Sequence, residues 1–225
     1  MIRFRLICIV SLVLFNSAML TSQTWVQQTS GVSTQLLSVC FADNSTGCAG
    51  TLAGEVLKTT NGGLSWTGYF TGEFAPIRSL YFINTTTGFA SGDLGVIFIT
   101  SNGGVNWLLQ ESFTVSSLYK ISFVNSLTGW ATGNFNTIVK TTNGGLNWIR
   151  QYFGNNINYS IFPITTNTIL TSGGNGEITK STNGGLNWIV TNSNQLYELY
   201  DINFPSSTIG IAVGSGSQIC TILRS

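Results

Sequence analysis

Histidine is absent from the 225 residues, which excludes His-based general acid–base work, His-containing triads and imidazole metal sites. Charge is scarce as well. Only 8% of residues are charged, against the usual quarter, and the formal net charge is +1. With no basic stripe, the chain is not expected to bind nucleic acid through phosphates or to hold an anionic membrane surface. Three prolines against 26 glycines exclude a proline-rich linker and suit a fold of many tight turns. No segment shows the 3.6-residue periodicity of an amphipathic helix. What is present instead is 43% apolar and 12% aromatic residues, the opposite of a disordered composition.

Long apolar runs are also missing. After Arg3 and Arg5, the run from Leu6 to Phe15 covers about ten residues, short of the roughly 20 that span a bilayer. Small and polar residues follow, from Asn16 to Gln23. This is the layout of a secretory signal peptide, with Ala18 and Ser22 both acceptable near the cleavage point; a signal anchor is the alternative. The expected organisation is therefore a leader over residues 1–22 and a single domain over 23–225, secreted, periplasmic or at the cell surface. Without the leader, Cys40, Cys48 and Cys220 remain, an odd number in an oxidising compartment. Cys40 and Cys48 flank one short turn and could face each other. Alternatively each fills an apolar slot, as Tyr81, Phe89 and Trp130 do at equivalent positions.

The dominant feature is a repeat. Thr59-Thr60-Asn61-Gly62-Gly63-Leu64-Ser65-Trp66 recurs at Thr100–Trp107, Thr141–Trp148 and Ser181–Trp188, so the tryptophans are spaced by 41, 41 and 40 residues. Upstream of three of them lie Thr46-Gly47-Cys48-Ala49, Thr87-Gly88-Phe89-Ala90 and Thr128-Gly129-Trp130-Ala131. Earlier still is an alternating strand, Val39 with Phe41, Leu80 with Phe82, Ile121 with Phe123, Ile202 with Phe204. Each period holds four short β-type runs; in the second they are Ile77–Ile83, Gly88–Ser91, Val96–Thr100 and Trp107–Gln110. Four antiparallel strands repeating at about 40 residues mark one propeller blade, so the expected fold is all-β, a propeller of four-stranded antiparallel blades. The Asn-Gly-Gly turns supply the left-handed backbone that a tight hairpin needs, and each following Trp is expected to wedge between sheets.

These turns, Ser/Thr-x-Asn-x-Gly-x-Ser/Asn-Trp, resemble the Asp-box, or bacterial neuraminidase (BNR) repeat. The longer string Thr-Gly-aromatic-Ala followed by Lys-Thr-Thr-Asn-Gly-Gly resembles the photosystem II assembly/stability factor type of it, over roughly residues 25 to 222. The resemblance implies a propeller in which the box is a peripheral structural turn, remote from any catalytic centre. Here Asn61, Asn102, Asn143 and Asn183 stand where Asp is typical, which speaks against calcium in the turns. No metal and no cofactor is expected.

The resemblance implies seven blades for the photosystem factor, too many for this length. Counting back 41 from Trp66 reaches Trp25, and three further strands are expected near Leu199–Phe204, Ile209–Val213 and Gln218–Ile222. The expectation is a five-bladed ring whose last blade takes its outer strand from Trp25–Ser30. The alternative is an incomplete piece of a larger, for instance seven-bladed, propeller; the ending Cys220-Thr221-Ile222-Leu223-Arg224-Ser225, which departs from the box, keeps it open.

In such a ring, loops entering the inner strands vary most and are the natural place for recognition. The register brings Arg78, Tyr119, Tyr159 and Tyr200 around the channel mouth, with Phe74 and Tyr197 on loops above. Aromatic rings with few charges suit peptide or glycan contact; the competing explanation is that they merely plug the channel. A sialidase-like enzyme would need an arginine cluster, but only Arg78, Arg150 and Arg224 remain after the leader, on separate elements. A two-carboxylate glycosidase would need a pair such as Glu73 with Glu111 or Glu177. The reading is thus an exported, monomeric, non-catalytic binding or scaffold module for an extracellular or envelope protein or a glycan. Its alternatives are a protein like the photosystem II assembly factor, acting on a membrane complex, and a sialidase- or glycosidase-like enzyme.

Overall fold

The computed structural model describes residues 25–152, 156–192, 197–215 and 221–224. The expected leader, with Cys8, and Cys220 lie outside the described residues. Five antiparallel sheets follow one another in chain order. Blade 1 contains β1 (Leu36–Phe41), β2 (Gly47–Thr51), β3 (Glu55–Thr59) and β4 (Thr67–Phe70). Blade 2 contains β5 (Ile77–Phe82), β6 (Gly88–Gly92), β7 (Ile97–Thr100) and β8 (Leu108–Gln110). Blade 3 contains β9 (Leu118–Phe123), β10 (Gly129–Gly133), β11 (Thr137–Thr141) and β12 (Ile149–Tyr152). Blade 4 contains β13 (Asn158–Pro163), β14 (Ile169–Gly173), β15 (Glu177–Ser181) and β16 (Ile189–Asn192). Blade 5 contains β17 (Leu199–Asn203), β18 (Ile211–Gly214) and β19 (Thr221–Arg224). The first strands of successive blades contact one another, β1 with β5, β5 with β9, β9 with β13 and β13 with β17, so they line the axis.

The Asn-Gly-Gly turns hold the third and fourth strands together through their own side chains. In blade 1, Thr59 Oγ1 accepts the Gly63 N–H at 2.9 Å and Asn61 Oδ1 accepts the Ser65 N–H at 3.0 Å. The same pair of bonds recurs from Thr100 and Asn102, from Thr141 and Asn143, and from Ser181 and Asn183. Gly62 and Gly63 have φ of +69° and +92°, a backbone that a Cβ disfavours. Gly62 N–H also donates to Ser45 O at 2.9 Å, and Gly103, Gly144 and Gly184 make the equivalent bond, so these turns and the first hairpins of the blades share one face.

From blade 2 to blade 4, each tryptophan that follows a turn packs against the preceding blade. Trp107 joins Cys48 and Val56 of blade 1, Trp148 joins Phe89 and Ile97 of blade 2, and Trp188 joins Trp130 and Ile138 of blade 3. We call this side of a blade its leading face and the opposite side its trailing face. An aromatic from the first strand braces the indole edge-on at nearly the same geometry: Phe41–Trp66 at 6.2 Å, Phe82–Trp107 at 6.3 Å and Phe123–Trp148 at 6.0 Å, all at 82°. Lysines add a latch from blade to blade. Lys140 Nζ donates to Gly184 O of the next turn at 2.8 Å while lying 5.3 Å from the Trp130 ring, and burial pushes its pKa down.

The closure expected from Trp25–Ser30 does not form. Among the described residues these six pair with no strand, Trp25 is fully exposed, and blade 5 has three strands. Among the described residues no junction comparable to those between neighbours joins blade 5 to blade 1, so the five described sheets form an open arc. The reason lies in what the other tryptophans have and Trp25 lacks. Each of them is held two to three residues from a side-chain-locked turn, whereas Trp25 would have to close a loop spanning the whole domain, at a larger entropic cost. Cys40 and Cys48 lie directly opposite in the β1–β2 register, both as free thiols. Burial pushes the Cys48 thiol up to about 12, so the slot-filling role is the one observed.

Candidate functional site

The same irregularity occurs at the start of every inner strand. In β5, Ile77 pairs with Gly92 and Ser79 with Ser91, leaving Arg78 without a ladder partner. Tyr119, Tyr159, Tyr200 and Leu37 are skipped in the same way in their own blades. A bulge breaks the in–out alternation and re-aims the extra residue. The glycine opposite makes it possible: a Cβ at Gly92, Gly133, Gly173 or Gly214 would collide with the carbonyl oxygen of Pro76, Ser117, Ile157 or Glu198 respectively.

The re-aimed side chains meet across blades. The Arg78 guanidinium carbon lies 5.8 Å from the centre of the Tyr119 ring, Tyr119 lies 5.8 Å from Tyr159, and Tyr159 lies 5.2 Å from Tyr200 at an edge-on 66°. One continuous belt thus runs over blades 2 to 5. Its ends and hydroxyls are fixed. Asp93 takes a bidentate pair of bonds from Arg78 at 3.0 and 2.7 Å, and these raise the guanidinium pKa further. Tyr119 Oη donates to Asn134 Oδ1 at 3.0 Å, and Tyr200 Oη donates to Glu198 Oε2 at 2.7 Å. Burial, then the Glu198 charge, pushes the Tyr159 phenol above its ordinary range. The belt thus offers aromatic faces, polar rims and one cation paired with its own carboxylate.

Below the belt a polar layer ties the inner strands. Ser160 Oγ donates to Asp201 Oδ1 at 2.6 Å, Lys120 reaches the same oxygen at 3.4 Å across blade 4, and Ser79 Oγ accepts the Ile121 N–H at 3.2 Å. Above it stand exposed apolar tips. Leu94 and Phe135 occupy left-handed positions, φ +60° and +54°, in the turns between second and third strands, and Phe113 does so, φ +56°, in the loop entering blade 3.

Of the residues expected at the site, Arg78, Tyr119, Tyr159 and Tyr200 come together. Phe74 packs on Phe70 of blade 1 at 4.8 Å, and Tyr197 stands partly exposed before β17. Glu111 accepts the Phe113 N–H at 3.1 Å and Glu177 accepts from Asn156 at 2.7 Å, each within its own blade, and Arg150 lies on the outer strand β12. Sequence reasoning missed Asp93, Asn134 and Glu198, which hold the belt, and the tips Leu94 and Phe135. A signal existed for the first two: each follows the glycine that faces the bulge. Among the described residues no group of side chains is placed to hold a metal ion.

No protein-family model matches the chain, and no curated protein matches it in sequence. Solved structures do. A structure of YCF48 bound to D1 peptide aligns with 88% of this chain and 95% of its own, with a TM-score of 0.50 and 16% identity. An ancestral GH74 enzyme aligns with 91% of this chain but only 32% of its own, at 0.69 and 21%. The WD40 β-propeller domain of Doa1 aligns with 85% of this chain and 65% of its own, at 0.65 and 13%. The chain is a β-propeller. At these identities the likeness speaks to fold alone. The mixture of a peptide-bound protein, an enzyme and a WD40 domain shows why the site, and not the fold, must carry the function.

Proposed function

We propose that this is an exported, non-catalytic propeller that binds a segment of a partner protein, or a glycan, across the Arg78–Tyr119–Tyr159–Tyr200 belt. The belt carries the reading: four consecutive blades each bend their inner strand to present one large planar side chain, and tyrosine gives contact area at low entropic cost. Apolar tips around it favour a polypeptide over a sugar, because Leu94, Phe113 and Phe135 gain most from covering by apolar side chains. The turns are read as Asp-box turns with asparagine in place of aspartate. They hold the blades and stay out of the site. The likeness to YCF48, a structure of which holds a D1 peptide, favours a second reading in which the bound partner belongs to a membrane complex under assembly. The test is a pair of arrays, overlapping peptides from envelope proteins and a panel of glycans, probed with wild type and with the Tyr119→Ala/Tyr159→Ala double variant. Retention of peptides by wild type and loss by the variant is the expected result. Equal retention by both would remove the belt from the account. Turnover of glycosyl or sialyl reporter substrates, abolished by Glu111→Gln, would put an enzyme in its place.

A further inference from the structure

Four times along the chain, the trailing face of one blade is covered by the leading face of the next, and among the described residues one copy of each face is left without a covering blade at the ends of the arc. On the leading side, Leu80, Ile121, Ile161 and Ile202 are at most 7% exposed under the preceding blade, whereas Val39, their equivalent in blade 1, is 66% exposed. Phe41 beside it is exposed too, although it braces Trp66 as its counterparts brace theirs. A cleft of about 480 Å³ runs along this face, lined by Leu36, Val39, Ala49 and Trp66 and, from the N-terminal segment, by Gln28 and Ser30. On the trailing side, Cys48, Phe89, Trp130 and Leu170 are at most 9% exposed under the following blade, but Ile211 in the same position of β18 is 40% exposed. Val213 stands beside it where the other blades have Gly50, Ser91, Thr132 and Ser172, and a second cleft of about 350 Å³ separates the two from Pro205.

We propose that these two faces meet between chains, with blade 5 of one copy docking on blade 1 of another. The occupant is a second copy because the missing half of each face is the half that this sequence already builds. The row Val39, Phe41, Trp66 is what blades 2 and 3 present to the blade before them, as Leu80, Phe82, Trp107 and as Ile121, Phe123, Trp148. The row beginning at Ile211 is what blades 1 to 4 present to the blade after them. The contact is heterologous: a patch of one kind meets a patch of another, so it propagates head to tail until it closes as a ring or runs on as a chain. A ring closed on itself would have been monomeric, as the sequence suggested; an open arc with complementary apolar ends is not. On these faces Val39, Phe41, Ile211 and Val213 keep 40 to 66% of their surface in water, while Ala49 and Leu57 of the leading face are already buried; clustered apolar exposure of this kind marks an interaction surface.

The experiment is sedimentation velocity over a range of concentrations on wild type, Val39→Asp, Ile211→Asp and an equimolar mixture of the two variants. Wild type is expected at about twice the monomer mass or above, and each variant alone at the monomer mass. The mixture is the decisive arm. It still contains one intact leading face and one intact trailing face, and should give a complex of two chains and nothing larger. Monomeric wild type, association that survives either substitution, or a mixture that stays monomeric would each overturn the proposal. Both substituted side chains are solvent-exposed, so the variants should fold; Phe41→Asp and Val213→Asp serve as a second pair should circular dichroism show otherwise.

Discussion

At the scale of the residue, the absence of histidine leaves the side chains of this protein with little to titrate near neutrality. The shifted groups move outward. Tyr81, half-buried and donating to Phe123 O at 2.8 Å, and Tyr159 both sit above the ordinary tyrosine value of 10.0, chiefly through loss of water around the phenol. A raised phenol pKa stabilises the fold below pH 10, where the unfolded chain also holds its protons, and that contribution is lost as pH rises through the folded value. On the acid side, Asp43 accepts N–H groups of Thr46 and Ser45 at 2.6 and 2.8 Å, which lower its pKa. Its contribution is present above the ordinary value of 3.8 and disappears as pH falls through the lower folded one. The melting temperature should therefore be nearly flat between about pH 5 and 9 and fall above pH 10, with Tyr81→Phe reducing the alkaline fall. A steep change near pH 6 or 7 in a melting series would contradict this.

At the scale of the element, the tryptophan ladder shows what a repeat makes legible. The four strands expected in the second period appear as Ile77–Phe82, Gly88–Gly92, Ile97–Thr100 and Leu108–Gln110, because alternation and turn chemistry are local and are written in neighbouring residues. The bulge under Arg78 was not legible, since it depends on a carbonyl of Pro76 fitting against Gly92 in another strand. Nor was the failure of Trp25 to pair, because spacing alone cannot weigh a closing loop against a hairpin. Position in the arc also decides what each indole contributes. Trp148 is buried between blades 2 and 3, and Trp148→Ala should cost about 3–5 kcal/mol in denaturant unfolding. Trp66 has no blade before it and is only partly buried, so Trp66→Ala should cost less than about 2 kcal/mol. Equal losses would mean that something covers blade 1 in the single chain.

At the scale of the molecule, the arc combines two kinds of surface with separate origins. The belt arises because the same bulge recurs in register, so that four blades each contribute one planar side chain to a single strip; no blade alone could form it. The open end faces arise because the junction between blades is repeated but not closed. The belt residues themselves were readable from the sequence, since Arg78, Tyr119, Tyr159 and Tyr200 share one position of the period. Of the groups that fix them, Asp93 and Asn134 had a signal in the glycine each follows, whereas Glu198, from the loop entering blade 5, had none, because no acidic residue stands at that position in the other repeats. The central claim is that the strip acts as one contact surface. Titration calorimetry with an array-selected ligand tests it directly, against wild type and Arg78→Ala, Tyr119→Ala, Tyr159→Ala and Tyr200→Ala in turn. The predicted result is a graded loss centred on Tyr119 and Tyr159, of roughly tenfold or more at the centre and less at the ends. Affinity unchanged across all four variants, with their melting temperatures intact, would contradict it.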